Sequence, residues 1–374
     1  MSGVAVYGVG TSRFAKQPER SLAELAWDAV LEALADAAVD RVDAAYVGTV
    51  FGPPGVAQRV LHTLGIVDVP VVTIENACAS GTTALHEARA AILAGRYETV
   101  LVLGIEQLTA AFTGAIHPEP TDPEGRSGMA LPSLYAMSAA RYLHAGWVTP
   151  EQLALVSVKN HRHALANERA QYGGHHTVAE VLGSRMIADP LTLLQCCPIS
   201  DAAAAAIVGP LRDERRDVPI RASQLRSGAL WDQRAEHVWG FELVRDVAGA
   251  AYAEAGVGPA EVDLFELHDA FTIGEIVTTE ALGLAEAGGG GELVSSGHTA
   301  LGGKQPVNPS GGLLSRGHPL GATGIAQVAE VVWQLRGEAG DRQVDGARIG
   351  VVETMGGGVS GIDGNGAVVA VLGG

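Results

Sequence analysis

Residues 71–85 read Val-Val-Thr-Ile-Glu-Asn-Ala-Cys-Ala-Ser-Gly-Thr-Thr-Ala-Leu, an apolar run followed by small residues around Cys78. The run at 71–74 predicts a strand, and residues 80–94 predict a helix. Cys78 is therefore expected at a sharp strand-to-helix turn. There the positive end of the helix dipole favours a thiolate, and small neighbours leave space beside the sulfur. The pattern indicates a nucleophile; a buried cysteine that packs as a small apolar side chain is the alternative.

A second turn rich in small residues, at 308–324, contains His318 and reads Asn-Pro-Ser-Gly-Gly-Leu-Leu-Ser-Arg-Gly-His-Pro-Leu-Gly-Ala-Thr-Gly. Its glycines indicate a close approach of the backbone to a ligand. Pro319 is typical of the first turn of a helix, so His318 is expected near a helix N-terminus. An imidazole in that position can accept a thiol proton or donate to a thioester oxygen. A histidine that only caps the helix is the alternative.

A third segment, Glu-Leu-His-Asp-Ala-Phe at 266–271, ends a predicted strand and opens a predicted helix. His268 at this position could donate a hydrogen bond to a thioester carbonyl as charge develops on its oxygen. The alternative is a structural histidine that is held by Asp269.

The chain contains two parts that resemble each other. Residues 42–51 follow an Ala/Leu-rich helical run at 22–38, and residues 262–271 follow a similar run at 243–255. The Cys78 and His318 turns come next, and each leads through a helix to a buried-type strand. This order predicts an α/β fold of two duplicated βαβ-type halves, 1–215 and 216–374, with a mostly parallel sheet covered on both faces. An insertion at about 106–200, with helices near 131–144 and 151–167, interrupts the first half; chance similarity between Ala/Gly-rich helices is the alternative to duplication.

Composition excludes several classes of protein. Of the 374 residues, 47% are hydrophobic and 18% are charged, which is typical of a globular chain and not of a disordered one. The net charge of −17 argues against nucleic-acid binding, which needs a basic surface. No apolar run reaches the roughly 18 residues of a membrane-spanning helix. The three cysteines have no metal-type spacing, which favours a reducing, cytoplasmic location and no metal site.

Taken together, the motifs resemble the thiolase superfamily, in particular the sterol-carrier-protein-type thiolases and the lipid-transfer-protein-like acetyl-CoA acetyltransferase group. The matching stretches follow one another in the order of that family and cover nearly the whole chain; they are 75–81, 152–154, 159–161, 197–201, 268–271 and 308–324. The resemblance implies a thiolase-like fold, with the two halves stacked as five αβαβα layers and an inserted helical loop domain. It also implies a homodimer, often paired into a tetramer, and coenzyme A as a substrate, with no permanently bound cofactor.

The resemblance also implies roles for four residues. Cys78 is the acylated nucleophile and His318 is its base. His268, together with His318, binds the thioester oxygen directly or through a water. The amide of Gly358, in the glycine turn 356–358, helps to form the oxyanion hole of the acyl-enzyme.

The chain departs from the family at the second cysteine, which moves a proton at the α-carbon of the substrate. One of its two known positions holds Thr354 here, and the other holds Ala270. A hydroxyl is a far poorer base than a thiolate near neutral pH. Cys196 or Cys197 could compensate, but their place in a segment that leads into a strand at 200–201 argues against it; another histidine could also act.

The resemblance therefore favours an acyl-CoA-dependent acyltransferase that works through an acyl-Cys78 intermediate. The expected reaction is thiolytic cleavage of a 3-oxoacyl-CoA or a related Claisen-type or acyl-transfer reaction. A non-catalytic acyl-CoA or lipid-binding scaffold and a retro-aldolase of a CoA thioester are the alternatives, although the aldolase branch has tyrosine where this chain has His268. A small zinc-ribbon/OB-fold partner protein is a further expectation. The acyl group is expected to contact a lid at 112–145 that contains Phe112, His117, Met129, Leu134, Tyr135 and Met137.

Overall fold

The computed structural model describes residues 3–116, 119–212 and 216–374, so His117 of the predicted lid lies outside the described residues. Eleven strands and twelve α-helices occur in these ranges. The strands are β1 Val4–Thr11, β2 Ala44–Gly48, β3 Val71–Ile74, β4 Val100–Gln107, β5 Met186–Ala188, β6 Leu191–Thr192, β7 Asp201–Pro210, β8 Val218–Arg226, β9 Leu264–Glu266, β10 Ile349–Gly356 and β11 Gly366–Gly373. The helices are α1 Leu22–Ala37, α2 Val56–Thr63, α3 Ser80–Leu93, α4 Pro123–Arg126, α5 Leu131–Ala145, α6 Pro150–Ala164, α7 Val178–Leu182, α8 Phe241–Ala255, α9 Thr272–Ala281, α10 Gly290–Ser295, α11 Gly312–Ser315 and α12 Leu320–Arg336.

The strand order demonstrates the duplication. Nine strands form one sheet in the order β3-β2-β4-β7-β1-β8-β11-β10-β9. In the first half, β2 pairs with β4 in parallel, and the β4–β7 and β7–β1 pairs are antiparallel. In the second half, β9 pairs with β10 in parallel, and the β10–β11 and β11–β8 pairs are antiparallel. The two halves therefore repeat one topology, and the short β1–β8 pairing joins them.

The sheet is mixed, so the prediction of a mostly parallel sheet is wrong. The cause is the route of the chain after β4. The insertion leaves β4 at Gln107 and returns at Asp201, the residue that pairs with Gln107. Because the chain comes back at the edge where it left, β7 must run antiparallel to β4. The same geometry recurs where β10 turns directly into β11.

Side chains on alternate sides of the strands form the five predicted layers. On β7, Ala203 and Ile207 face a core with α1 and α2, whereas Ala204 and Val208 face a core with α3 and α12. On β10, Val352 faces that second core, and the opposite side of the second half packs on α8 and α9. Helices α3 and α12 thus lie between the two halves of the sheet. The proposed boundary between 215 and 216 borders residues outside the described ranges and stays a prediction.

Glycines allow the two central helices to begin in contact. A Cβ atom at Gly81 would lie 2.7 Å from the carbonyl oxygen of Gly321, and one at Gly324 would lie 2.9 Å from the backbone nitrogen of Thr82. Larger residues at these positions would force the helices apart. This contact brings the turn before α3 against the turn before α12.

In the insertion, α5 and α6 match the predicted helices and pack on α9 of the second half.

Candidate active site

The Cys78 turn is stabilised by hydrogen bonds between the Ser80 side chain and the backbone of the turn. Ala77 has a positive φ of 47°, which is uncommon for a residue with a side chain and bends the chain sharply after β3. The Ser80 hydroxyl donates to the Ala77 carbonyl at 2.6 Å and accepts from the amide of Asn76 at 2.8 Å. These bonds place the Cys78 side chain, 4% exposed, just before the first turn of α3.

The structure brings Cys78 and His318 together, as the sequence predicted. The distance from the Cys78 Sγ to the His318 Nε2 is 3.2 Å. The backbone nitrogen of His318 donates to the Ser200 hydroxyl at 3.1 Å, which fixes the turn before α12. This is the spacing of a nucleophile and its base.

The hydrogen bonds on the far side of the His318 ring define its tautomer. The Nδ1 atom lies 2.8 Å from the Thr323 hydroxyl. That hydroxyl has a single proton, which it donates to the Pro319 carbonyl at 3.0 Å. It must therefore accept a hydrogen bond from Nδ1–H. The proton of the neutral ring is thus on Nδ1, and the lone pair of Nε2 points at the thiol.

Burial keeps both partners neutral. Burial, followed by the nearby carboxylate of Glu106, raises the pKa of Cys78 to about 12. Burial, followed by the nearby His268 and Arg316, lowers the pKa of His318 well below its usual value. The thiolate that the helix dipole was predicted to favour is therefore not the resting form. The pair is a thiol and an imidazole until a substrate draws the proton across.

His268 is the third member of the group. Its ring centroid lies 5.1 Å from that of His318, in an edge-to-face arrangement. Both of its ring nitrogens are buried and have no hydrogen-bond partner within the described residues. The alternative in which Asp269 holds the ring is therefore wrong. Burial lowers the pKa of His268 to about 4, so a neutral ring has an N–H available for a ligand.

A buried ionic cluster lies behind this histidine. Lys159 pairs with Glu275 at 3.1 Å, and the side-chain amide of Asn160 donates to Asp269 at 2.7 Å and to Glu275 at 2.8 Å. Asp269 accepts in turn from the backbone nitrogen of Leu313 at 2.7 Å. The cluster therefore connects the start of α9, the inserted lobe and α11, and it fixes the two histidine-bearing segments relative to each other.

The fourth predicted residue, Gly358, does not join this group. It lies in the exposed loop after β10 with φ +125°, and no contact links it to the three side chains in the part of the chain that the structure describes. Gly356, in the same glycine turn, lies against the Cys78 turn instead: a Cβ atom there would collide with the Asn76 carbonyl and lie 3.1 Å from the Cβ of Ala77. The oxyanion role of Gly358 stays a prediction.

Two residues of the predicted lid border the site. Phe112 packs against the small apolar cluster that Cys78 forms with Leu108 and Leu320. The Tyr135 ring lies 4.5 Å from the ring of Phe271 and 5.6 Å from that of Trp239. Behind Tyr135 is a narrow, mainly apolar pocket that Met355 helps to line. The described part of the lid therefore offers aromatic surface to a bound group, and Met355 adds a thioether.

One segment at the site was underestimated from sequence. The strand-entry residues 196–200 run along the edge of the site: the amide of Cys197 donates to the Ala270 carbonyl at 2.9 Å, and Ile199 packs against the apolar cluster that includes Cys78. The Cys-Pro-Ile-Ser-Asp match at 197–201 was the available signal, since ligands in open α/β sheets bind at strand ends.

The three central side chains could also hold a metal ion. The ligand atoms of Cys78, His268 and His318 all lie within 4.8 Å of one another. One thiolate and two imidazoles suit Zn²⁺, which takes sulfur and nitrogen ligands. Binding would require the Cys78 proton to leave.

Comparisons with known proteins agree with this geometry. The family model "Thiolase, N-terminal domain" matches residues 6–210, and "Thiolase C-terminal domain-like" matches residues 229–372. An acetyl-CoA acetyltransferase of Methanothermobacter thermautotrophicus is 42% identical over 96% of this chain and 97% of its own length. Human sterol carrier protein 2 is 38% identical over 99% of this chain and 71% of its own. The solved structure of "Ltp2-ChsH2(DUF35) aldolase" superposes with a TM-score of 0.85 at 25% identity, covering 99% of this chain and 97% of that one.

Proposed function

The chain belongs to the thiolase family, and on that premise we propose that it is an acyl-CoA-dependent acyltransferase whose acyl group is carried on Cys78. The favoured reaction is thiolytic cleavage of a 3-oxoacyl-CoA or the related Claisen-type condensation. The observation that carries the proposal is the 3.2 Å distance from the Cys78 Sγ to the His318 Nε2, the nitrogen to which the hydrogen bonds of Thr323 assign the lone pair.

The first step is attack of the Cys78 sulfur on the substrate carbonyl. As the bond forms, the thiol proton moves to the His318 Nε2, which gives an imidazolium. Negative charge develops on the carbonyl oxygen, and the unpartnered N–H of His268 is the donor for it. A preorganised donor in a water-poor site stabilises such charge more than water does. When the departing group is a CoA thiolate, His318 gives it this proton, which leaves acyl-Cys78 beside a neutral imidazole; transfer of the acyl group to an incoming thiol then restores the Cys78 thiol.

The direct test is intact-mass analysis after incubation with a panel of acyl-CoA esters. We expect a single acyl adduct on Cys78, none in Cys78→Ala, and a slowed adduct in His318→Ala, since a positioned base contributes roughly 10²–10⁴-fold. Cys196→Ala is the matched control, because its thiol donates to the Thr192 carbonyl away from the reacting pair. An adduct that persists in Cys78→Ala would refute the proposal.

A retro-aldolase is the second candidate, because a solved structure that superposes along nearly the whole chain is named as an aldolase. A retro-aldol cleavage forms no acyl-enzyme, so it predicts turnover without a mass adduct. A non-catalytic scaffold predicts acyl-CoA binding with neither turnover nor a mass adduct. The same mass experiment therefore separates all three, provided that acyl-CoA binding is measured in parallel by calorimetry.

A homodimer is part of the proposal, and an exposed sheet edge supports it. Strand β3 ends the nine-stranded sheet, and Val72 on it is 43% exposed. An apolar edge strand is a ready template for pairing with a second copy. Val72→Lys is expected to shift the mass measured by light scattering from dimer to monomer, and an unchanged dimer would argue against this edge as the interface.

A small partner of the DUF35 type is also proposed, since the name of the superposed aldolase structure includes one. We also propose a cytoplasmic location, which the three free thiols support. None of the helices in the described ranges has the length and apolar character needed to cross a bilayer. Co-purification with a chain encoded nearby would test the partner.

A further inference from the structure

We propose that Cys197 is the acid–base group that moves the α-carbon proton of the substrate, in place of the second cysteine that this chain lacks at 270 and 354. The inference rests on the proposed function, and it deepens it by assigning a catalytic residue to the step that Cys78 and His318 leave without one.

The first reason is that neither family position can act. Ala270 has no acidic side-chain proton. Thr354 is fully buried, and its hydroxyl is hydrogen-bonded to the hydroxyl of Thr82. A hydroxyl that is already engaged, with an intrinsically high pKa, is a poor proton carrier near neutral pH. The proton must therefore move through a different side chain.

The second reason is the path of the 196–200 segment. The amide of Cys197 donates to the Ala270 carbonyl at 2.9 Å, so its backbone runs directly beside one of the two vacated positions. Two residues later Ile199 packs against the cluster formed by Cys78, Leu108 and Leu320, and the Ser200 hydroxyl accepts from the backbone nitrogen of His318. A segment bonded at one end to position 270 and at the other to the base must border the space where the substrate reacts.

The third reason distinguishes the two adjacent cysteines. The Cys196 thiol donates to the Thr192 carbonyl at 3.3 Å, which turns it toward the short 3₁₀ helix Leu193–Gln195. Residues 196 and 271 form an isolated bridge, so the next side chain along faces the other way. Cys197 is partly buried and packs against the core cluster that contains Tyr135, Ala270 and Phe271, the residues that border the site.

Electrostatics agree with this placement. Burial raises the pKa of Cys197 well above its ordinary value, and Cys196, Cys78 and Asp269 raise it further. Cys78 is thus near enough to influence it, and both thiols in turn influence Tyr135 across the site. Cys197 is therefore protonated at rest, which is the form that the cleavage direction needs.

The proton balance of thiolysis is complete with these groups. The Cys78 thiolate, its proton on His318, attacks C3 of the 3-oxoacyl-CoA. The C2–C3 bond breaks, its electron pair stays on C2 as an enolate, and Cys197 S–H protonates C2 to release acetyl-CoA. The incoming CoA thiol gives its proton to the Cys197 thiolate and attacks the acyl group on Cys78. The Cys78 sulfur leaves and recovers its proton from His318, so every group returns to its starting state.

The experiment compares two reactions of the same full-length protein. One is exchange of labelled CoA with acetyl-CoA, which needs acylation of Cys78 but no chemistry at C2. The other is CoA-dependent cleavage of acetoacetyl-CoA or 3-oxohexanoyl-CoA, which needs a proton at C2. In Cys197→Ala and Cys197→Ser we expect cleavage to fall by roughly 10²–10⁴-fold and exchange to stay within about threefold of the native rate. Cys196→Ala is expected to retain both.

Each outcome decides the question. Cleavage within about threefold of native in Cys197→Ala overturns the assignment. An equal loss of exchange and cleavage in both Cys197 variants also overturns it, because it indicates a damaged acylation site. Native protein that exchanges CoA but cleaves neither substrate overturns it as well. Failure of exchange in the native protein would instead refute the acyl-Cys78 proposal itself.

Discussion

Substitution of Thr323 by valine tests whether the tautomer of His318 matters to acylation. Thr323 is completely buried, and its hydroxyl accepts the Nδ1–H of His318. Valine has nearly the same shape but cannot accept a hydrogen bond. The Pro319 carbonyl keeps its other two donors, the backbone nitrogens of Ala322 and Thr323, so the helix start is preserved. Thr323→Val therefore removes the acceptor for the His318 ring without disturbing the start of the helix.

The expected magnitude follows from the orphaned group. A buried N–H without its acceptor costs about 1–3 kcal/mol. The ring can avoid that cost by moving its proton to Nε2, but then it has no lone pair for the thiol. If the full cost appears in the barrier, acylation slows by roughly 5- to 150-fold, at about 1.4 kcal/mol per tenfold. Thr323→Ser keeps the acceptor and is expected to stay close to native.

Single-turnover acylation by acetyl-CoA, followed by intact mass across pH 6–9, is the assay. A positioning role predicts that the slow rate in Thr323→Val is accompanied by a changed pH profile, while circular dichroism and the melting temperature change little. Native acylation rates in Thr323→Val, or equal losses in the Val and Ser variants, would refute the assigned tautomer.

The same buried groups lead to three further predictions. The pKa of Cys78 is raised to about 12, so the rate of its alkylation by iodoacetamide is expected to rise about tenfold per pH unit between pH 7 and 10, as measured by peptide mapping. A rate that is constant from pH 7 upward would instead indicate a resting thiolate–imidazolium pair. Burial raises the pKa of Glu353 to about 8, so its carboxyl stays protonated in the folded protein at pH 7 but ionises in the unfolded chain, and the free energy of unfolding falls as pH rises from about 4.5 to 8. Glu353→Gln is expected to remove that fall and to gain up to about 3 kcal/mol at pH 7. The gain is read as a melting-temperature difference between variant and native protein that grows from pH 5 to pH 8, and no such difference is expected if the carboxyl is ionised in the folded protein. Zn²⁺ is expected to inhibit acylation by binding Cys78, His268 and His318, more tightly at higher pH and reversibly with EDTA; equal inhibition of native protein and His268→Ala would contradict that ligand set.

The resemblance to the thiolases implied that His318 acts on Cys78, and the duplication gives that pairing its physical basis. If two halves share one topology, the turn before α3 and the turn before α12 occupy equivalent places, and the contact of Gly81 with Gly321 brings them together. Local patterns also located the helices of the insertion at 131–145 and 150–164. Each of these predictions depends only on the order of motifs and helical patterns along the chain, and that order can be read from the sequence.

Two other features depend on where the chain travels in space, and the local patterns did not contain them. The antiparallel direction of β7 follows from the edge at which the insertion returns. The approach of Cys197 to Ala270 joins residues 73 positions apart in sequence through a single backbone hydrogen bond. No periodicity predicts such a contact. For a related reason, the run of three glycines at 356–358 does not indicate which of them faces the Cys78 turn, and the structure puts Gly356 there.

The resting neutrality of the site explains where its polar groups are placed. Cys78 stands at a helix N-terminus, yet burial keeps its proton on sulfur, so the dipole of α3 does not stabilise a ground-state anion there. Stabilising a resting thiolate would lower the energy of the ground state and so would not lower the barrier. The unpartnered nitrogens of His268 are instead available where oxygen charge appears during attack. A donor that is unsatisfied before the reaction and satisfied during it contributes to the rate, which accounts for a buried histidine whose ring bonds to nothing in the described residues.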